Sequence, residues 1–329
     1  MARKIRTSPL AETGNALFDS QLDVLRPLFA KQGVQEIVAV RPQEVRLELD
    51  GGRWEALSVP DLTLDRWGKV LSLLATRQGQ HFGPDQPRVS ARLPGGHRLD
   101  AMMGRAVGEG ISVAIRVHRQ AKRSYEDFGC PPDLIERLKA AAVNGDNVIL
   151  SGGTSSGKTS LVNAYIRDVP LHERVLYAEE VSELQVPQEN KAGFLLDRNN
   201  KEATVSYADV FDHAMRARPD RLWLGELSIP NAYPALLFLN NGHKGFLTSA
   251  HANNCTAALE TGFWFRLSMA GYTMDRAAVF EFLKRNIDLV VHVERLSGGR
   301  RRAVEFWEPS KGADPVRLVG EGEWLNIGA

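Results

Sequence analysis

The chain has 329 residues, enough for about two domains rather than one oversized core. Its 43% hydrophobic and 25% charged residues exclude a disordered or fibrous protein. With 41 basic against 40 acidic side chains the net charge is only +1, which argues against a protein that grips nucleic acid by neutralising phosphates, so no direct nucleic-acid binding is expected.

The opening Met1-Ala2-Arg3-Lys4-Ile5-Arg6 has the basic start of a signal peptide but no apolar region after it, and no run approaches the length of a membrane span. A cytoplasmic protein is expected, associated with a membrane at most peripherally. Phe18, Leu22, Leu25 and Phe29 are spaced as one helix face over residues 17–29. Two β-rich runs follow, Glu36–Pro42 and Val45–Leu49, then an Asp50-Gly51-Gly52 turn and a return run through Leu57 and Val59. Thr63 is placed to cap a helix whose apolar side holds Leu64, Trp67, Val70, Leu71 and Leu74. Val89–Leu93, His97–Met103 and Ile111–His118 read as strands, completing a small α+β domain over residues 1–118 with a weakly basic character. A polar linker, 119–131, carries Arg119, Lys122 and Arg123, and the Pro131-Pro132 pair that closes it also opens the next helix.

From residue 132 to 329 the pattern alternates: helix 133–143, strand Val148–Leu150, helix from Lys158, strand Val175–Ala178, helix 206–216, strand Leu222–Leu224, helix 231–240, strand Gly245–Thr248. Alternation of this kind predicts an α/β fold with a parallel sheet between helices. Ile287–Val293, Ser297-Gly298-Gly299 and Ala303–Trp307 read as a closing hairpin. Cys130 and Cys255 are too few and too far apart for a disulfide framework or a structural zinc site.

Gly152-Gly153-Thr154-Ser155-Ser156-Gly157-Lys158-Thr159 satisfies G-x-x-x-x-G-K-S/T between a predicted strand and a predicted helix. Glycines let the loop wrap with its N–H groups turned inward on phosphate oxygens, and the helix N-terminus adds positive potential. Lys158 is then the phosphate cation and Thr159 a Mg²⁺ ligand. The run Asn200-Lys201-Glu202-Ala203 lacks the aspartate of a guanine-reading motif, which favours ATP. Arg221-Leu222-Trp223-Leu224-Gly225-Glu226 is a short strand ending in an acid, which places Glu226 for the metal. Glu179 and Glu180, with Glu183 beyond them, follow another strand and are candidates for orienting water. His243 and His251 flank one strand and are candidates for sensing the γ-phosphate.

In this order the motifs resemble the hexameric secretion ATPases, specifically the type IV secretion and conjugation branch called P-type DNA transfer ATPases. The matching residues are Gly152–Thr159; Glu179-Glu180 with Glu183-Leu184 and Pro187; Arg218-Pro219-Asp220-Arg221 leading into Gly225-Glu226-Leu227; and Gly242-His243, Gly245 and His251-Ala252-Asn253. The resemblance covers about residues 90–295. It implies a RecA-like P-loop NTPase domain preceded by a smaller α+β N-terminal domain, a six-membered ring at the cytoplasmic side of the inner membrane, and ATP with Mg²⁺ held between the domains. Inner-membrane and cytoplasmic machine subunits would be the partners. It also implies that Arg98 and Arg116 meet the γ-phosphate.

The chain departs from the family pattern at Ser228, where an arginine is usual, at Pro230 and Pro234, and at Glu179-Glu180 in place of Glu-Asp. These departures bear on the hydrolysis rate and on the helix after Glu226, not on nucleotide binding. The expected activity is an ATPase that powers a type IV secretion, conjugative transfer or related pilus machine. A P-loop kinase for a small acceptor and a nucleotide-gated scaffold with little turnover are the alternatives.

Overall fold

The structure, a computed structural model, describes residues 10–118, 123–196, 205–319 and 323–326. Residues 1–6, Arg119 and Lys122 of the linker, and Asn200-Lys201-Glu202-Ala203 lie outside them. The described residues form two compact units that meet in sequence near residue 121.

The first unit begins with α1 (Ala16–Leu22) and α2 (Arg26–Ala30). One continuous helix over 17–29 was expected, but the chain breaks at Asp23–Leu25, because Pro27 cannot donate the hydrogen bond a continuing helix needs and instead occupies the first turn of α2. The unit continues with β1 (Val34–Arg41), β2 (Glu44–Leu49), β3 (Arg53–Ser58), α3 (Leu64–Arg77), β4 (Arg88–Leu93), β5 (His97–Met103) and β6 (Ile111–Arg116). Thr63 caps α3 as its spacing predicts, accepting from the Arg66 N–H at 3.2 Å. The six strands form one antiparallel sheet in the order β3-β2-β1-β6-β5-β4. Trp67, Val70, Leu71 and Leu74 of α3 bury against its inward face with Phe18, Leu22 and Phe29.

The second unit contains α4 (Pro132–Asn144), β7 (Val148–Gly152), α5 (Lys158–Ile166), β8 (Val175–Glu179), β9 (Lys191–Leu195), α6 (Tyr207–Arg216), β10 (Arg221–Leu224) and α7 (Ile229–Asn240). It ends with β11 (Phe246–Ala250), α8 (Cys255–Met269), α9 (Arg276–Asn286), β12 (Leu289–Arg295), β13 (Arg301–Trp307), β14 (Val316–Val319) and β15 (Glu323–Asn326). The sheet order is β15-β14-β13-β12-β7-β11-β10-β8-β9. From β12 to β9 the neighbours run parallel, and β12 to β15 continue as antiparallel pairs, so the expected hairpin extends the parallel sheet.

β7 lies inside the sheet and is buried along its whole length. Its Val148-Ile149-Leu150 run suits a strand covered on both faces, each side chain contributing about 1.5–3 kcal/mol by leaving water. Leu150 faces the core under α4 and α5, whereas Ile149 faces the one shared with α6, α7 and α8.

Candidate functional site

The phosphate-loop sequence sits where β7 gives way to α5. Two of its glycines are dictated by space. A Cβ on Gly152 would stand 2.4 Å from the Val293 carbonyl oxygen of β12. Gly157, at φ +95°, has the Arg301 and Phe128 side chains pressed on its Cα, with Arg301 Cδ 2.5 Å from where a Cβ would lie. Lys158, the first residue of α5, turns back over the loop and donates to the Gly152 and Gly153 carbonyls at 3.0 and 2.9 Å.

Three further residues reach this end of the sheet from consecutive parallel neighbours. His251 follows β11, Glu226 lies two residues beyond β10, and Glu179 ends β8. Lys158 Nζ is 3.2 Å from His251 Nδ1, and His251 Nε2 is 2.9 Å from Glu226 Oε1. An ammonium only donates, so Nδ1 is the accepting nitrogen and the ring proton sits on Nε2, where it is donated to Glu226. A cation, an imidazole and a carboxylate thus form one line across β7, β11 and β10. Both His251 and Glu226 are close to half exposed and open to a ligand.

Glu179 is buried, with its Oε2 accepting the N–H groups of Glu183 and Leu184 at 2.8 and 3.0 Å. Gly225 lets it approach, since a Cβ there would be 2.9 Å from the Glu179 Cβ. Glu179 therefore shapes the acidic loop while standing beside the Glu226 segment, and Glu180 follows it in that loop.

His243 does not join this group. It precedes β11, whose five residues put about 17 Å of strand between it and the phosphate end. There its ring stacks on Phe238, centroids 4.5 Å apart and planes 11° from parallel. The expectation that His243 senses phosphate is corrected accordingly: flanking a strand means standing at its opposite ends.

Arg221 lies at that same far edge. Its guanidinium pairs with Glu173 and donates to the Ala142 carbonyl at 2.8 Å, which makes it an anchor between β10 and α4.

Arg98 and Arg116 belong to the first unit, where they stand directly opposite each other on β5 and β6. Arg92 on β4 continues the row beside Arg98, and Glu36 on β1 lies beside Arg116.

Sequence reasoning missed the residues that hold these groups in place. Asn231 in the first turn of α7 donates to the Glu226 carbonyl at 2.9 Å and accepts the Ser228 N–H at 2.7 Å. Ser228 is the N-cap residue of α7, so a helix starts directly after Glu226-Leu227. Ser249 donates to the Gly225 carbonyl at 2.8 Å, and its own carbonyl accepts the Leu227 N–H at 2.7 Å. Asn163 of α5 holds the acidic loop through the Glu183 carbonyl and the Gln185 N–H, both at 2.8 Å. Only the Ser228-x-x-Asn231 spacing was a visible signal.

Among the described residues no group of three or more His, Cys, Asp or Glu side chains could hold a metal ion. The buried Ser156 Oγ inside the loop has no hydrogen-bond partner among the described residues, as befits a loop built around a polar guest. Both cysteines are buried, and burial pushes the Cys130 thiol up to about 12. No described helix is long and apolar enough to cross a membrane.

A family model described as Type II/IV secretion system protein matches residues 75–296. The type IV secretion system protein VirB11 of Bartonella quintana (strain Toulouse) is 25% identical, over 90% of this chain and 94% of that protein. The type IV secretion system protein PtlH of Bordetella pertussis is 29% identical, over 89% of this chain and 95% of that protein. Among solved structures, the Legionella pneumophila ATPase DotB is similar with a TM-score of 0.58 at 20% identity, over 92% of this chain and 84% of that chain, a likeness of fold. The architecture is RecA-like, as expected.

Proposed function

The chain belongs to the Type II/IV secretion system protein family, and from that premise we propose that it hydrolyses ATP to power a type IV secretion, conjugative transfer or related pilus machine. The observation that carries this reading is the Lys158–His251–Glu226 line at the mouth of the Gly152–Thr159 loop. A site that hydrolyses a phosphoanhydride needs a cation for the phosphates and a carboxylate at the metal, and an imidazole held between the two can register the phosphate. The similarity to VirB11 and PtlH supports the secretion reading over the kinase and scaffold alternatives.

Bound phosphate competes with the Gly152 and Gly153 carbonyls for Lys158. As Lys158 turns to the phosphates, His251 Nδ1 loses its donor, and the change passes through the ring to Glu226. Mg²⁺ would be held by the Thr159 hydroxyl and Glu226 and would neutralise charge developing on the phosphates. Glu179 and Glu180 are proposed to orient or deprotonate the attacking water, with the loop contacts of Glu179 fixing its carboxylate. Arg98 and Arg116 are proposed as further cations for the γ-phosphate. The working particle is proposed to be a homo-hexamer, peripheral at the cytoplasmic side of the inner membrane and driven by motion of the N-terminal unit against the RecA-like unit.

Lys158→Ala should abolish ATP turnover, measured as phosphate release. Particle mass with and without nucleotide should show a six-chain assembly. Hydrolysis near the wild-type rate in Lys158→Ala overturns the reading, and turnover that requires an added acceptor would make the protein a kinase.

A further inference from the structure

On the sheet face covered by α8, three polar side chains sit side by side on neighbouring strands: Ser151 on β7, His292 on β12 and Glu305 on β13, in direct register. All three are buried, and the line from Lys158 to Glu226 uses none of them. His292 Nδ1 lies 3.0 Å from Ser151 Oγ. Glu305 Oε1 accepts the Cys255 N–H at 3.4 Å, while its Oε2 is buried without a hydrogen-bond partner among the described residues. Aliphatic side chains would fill such a row without the desolvation cost of an imidazole and a carboxyl, so the polar row calls for a physical reason.

The two ends of the row supply it. Ser151 immediately precedes Gly152, which is packed against the β12 backbone at Val293. Cys255 opens α8 four residues after His251. The row therefore runs, by side-chain contact at each end and by strand register between His292 and Glu305, from the root of the phosphate loop to the root of the His251 loop, and those two loops meet in front of it at the contact between Lys158 and His251.

We propose that His292 and Glu305 are positioning residues of the nucleotide site, tying the two loop roots together through β12 and β13 so that Lys158 and His251 stay in register. The proposal rests on reading Gly152–Thr159 as the nucleotide site. Its surroundings are consistent with a neutral row. Burial lowers the basicity of His292, which Glu294, Arg317 and Lys158 also face, and burial favours the protonated carboxyl of Glu305, near Arg317, Glu294 and the start of α8.

The test is amide hydrogen exchange on the full-length protein without nucleotide, together with KM and kcat for ATP. Glu305→Leu removes the acceptor beside Cys255. Exchange should quicken at residues 255–258 and also, by about fivefold or more, at residues 152–158 across the sheet. His292→Leu should do the converse, loosening residues 152–158 and, through the start of α8, where the Cys255 thiol donates to the Val290 carbonyl of β12, residues 251–258. KM for ATP should rise by more than kcat falls, and Glu305→Gln, which keeps an accepting oxygen, should restore both readouts.

Loosening confined to the loop next to each substitution, or an unchanged KM in both leucine variants, overturns the proposal. If Glu305→Leu does not fold, exchange at 251–258 in His292→Leu decides alone. If the wild type itself does not turn over ATP, the functional reading falls, while the exchange result still decides the coupling.

Discussion

Asn231 is fully buried and uses both ends of its amide, one on the Glu226 carbonyl and one on the Ser228 N–H. Alanine would take the acceptor from the buried Ser228 N–H and a donor from the part-buried Glu226 carbonyl, at a cost of about 1–3 kcal/mol. Asn231→Ala should therefore lower the thermal midpoint and, because Glu226 loses its support, reduce kcat more than it raises KM. Asn231→Asp keeps the acceptor for Ser228 and should fall between. A thermal midpoint lowered with an unchanged kcat would make Asn231 a cap for α7 and nothing more.

His292 and Glu305 extend the residue scale to pH. Burial lowers the pKa of His292, so the unfolded chain protonates there first. The stability tied to its neutral form is present above about pH 6.5 and is lost as pH falls through its lowered folded value. Glu305 is the reverse case. Its folded pKa is raised, so its contribution is present below about pH 4.5 and is lost as pH rises through the folded value. Melting curves should show that His292→Gln removes part of the loss on the acid side. Glu305→Gln should remove part of the decline that runs upward from pH 4.5. A pH profile identical to wild type in both variants would mean that neither group differs in proton affinity between the folded and unfolded chain.

Among the elements, β10 has two unlike ends. At its start Arg221 is almost fully buried, paired with Glu173 and hydrogen-bonded to α4, while Glu226 follows its other end, about half exposed at the site. Removing one partner of a buried pair costs about 3–5 kcal/mol. Arg221→Leu should accordingly unfold at a much lower temperature yet retain kcat per folded molecule. Glu226→Gln should melt near the wild type and lose turnover. Circular-dichroism melts beside ATPase rates check the contrast, and a kcat loss in folded Arg221→Leu would place Arg221 in the site.

The same strand shows what the sequence could reveal. Leu222–Leu224, Val148–Leu150 and Val175–Ala178 were legible because a strand covered on both faces must be a short apolar run between turns. Glu226 and His251 were legible because each follows such a run. α8 was missed because its apolar residues lie on all sides, Phe263 and Leu267 buried but Phe265 and Met269 exposed, so no helical period stands out. His243 was misplaced because adjacency in sequence hides the length of a strand. Asn231, Ser249 and Asn163 carry no chemistry of their own, and their value appears only once the fold shows which backbone groups they hold.

At the scale of the whole molecule, the sheet of the first unit sets Arg92, Arg98 and Arg116 directly opposite one another on three adjacent strands. Like charges in facing positions weaken a sheet; Glu36 closes the row beside Arg116, while Arg98 stands exposed between two arginines. An arginine held between two others is intelligible if its charge answers an anion, which is the proposed role toward the γ-phosphate.

Two consequences then have opposite signs. Arg98→Gln relieves repulsion, so the first unit should melt no lower than wild type. On the proposed role, the same change removes a planar cation from the phosphoryl transfer, so kcat should fall by about tenfold or more. Nucleotide binding should persist, because Lys158 and its loop belong to the other unit. Fluorescent-nucleotide titration, a melting curve and a turnover assay on the one variant separate the possibilities. Unchanged kcat with a raised melting temperature would make the row a surface feature, whereas lost binding would mean that the arginines hold the ground-state nucleotide rather than its transition state.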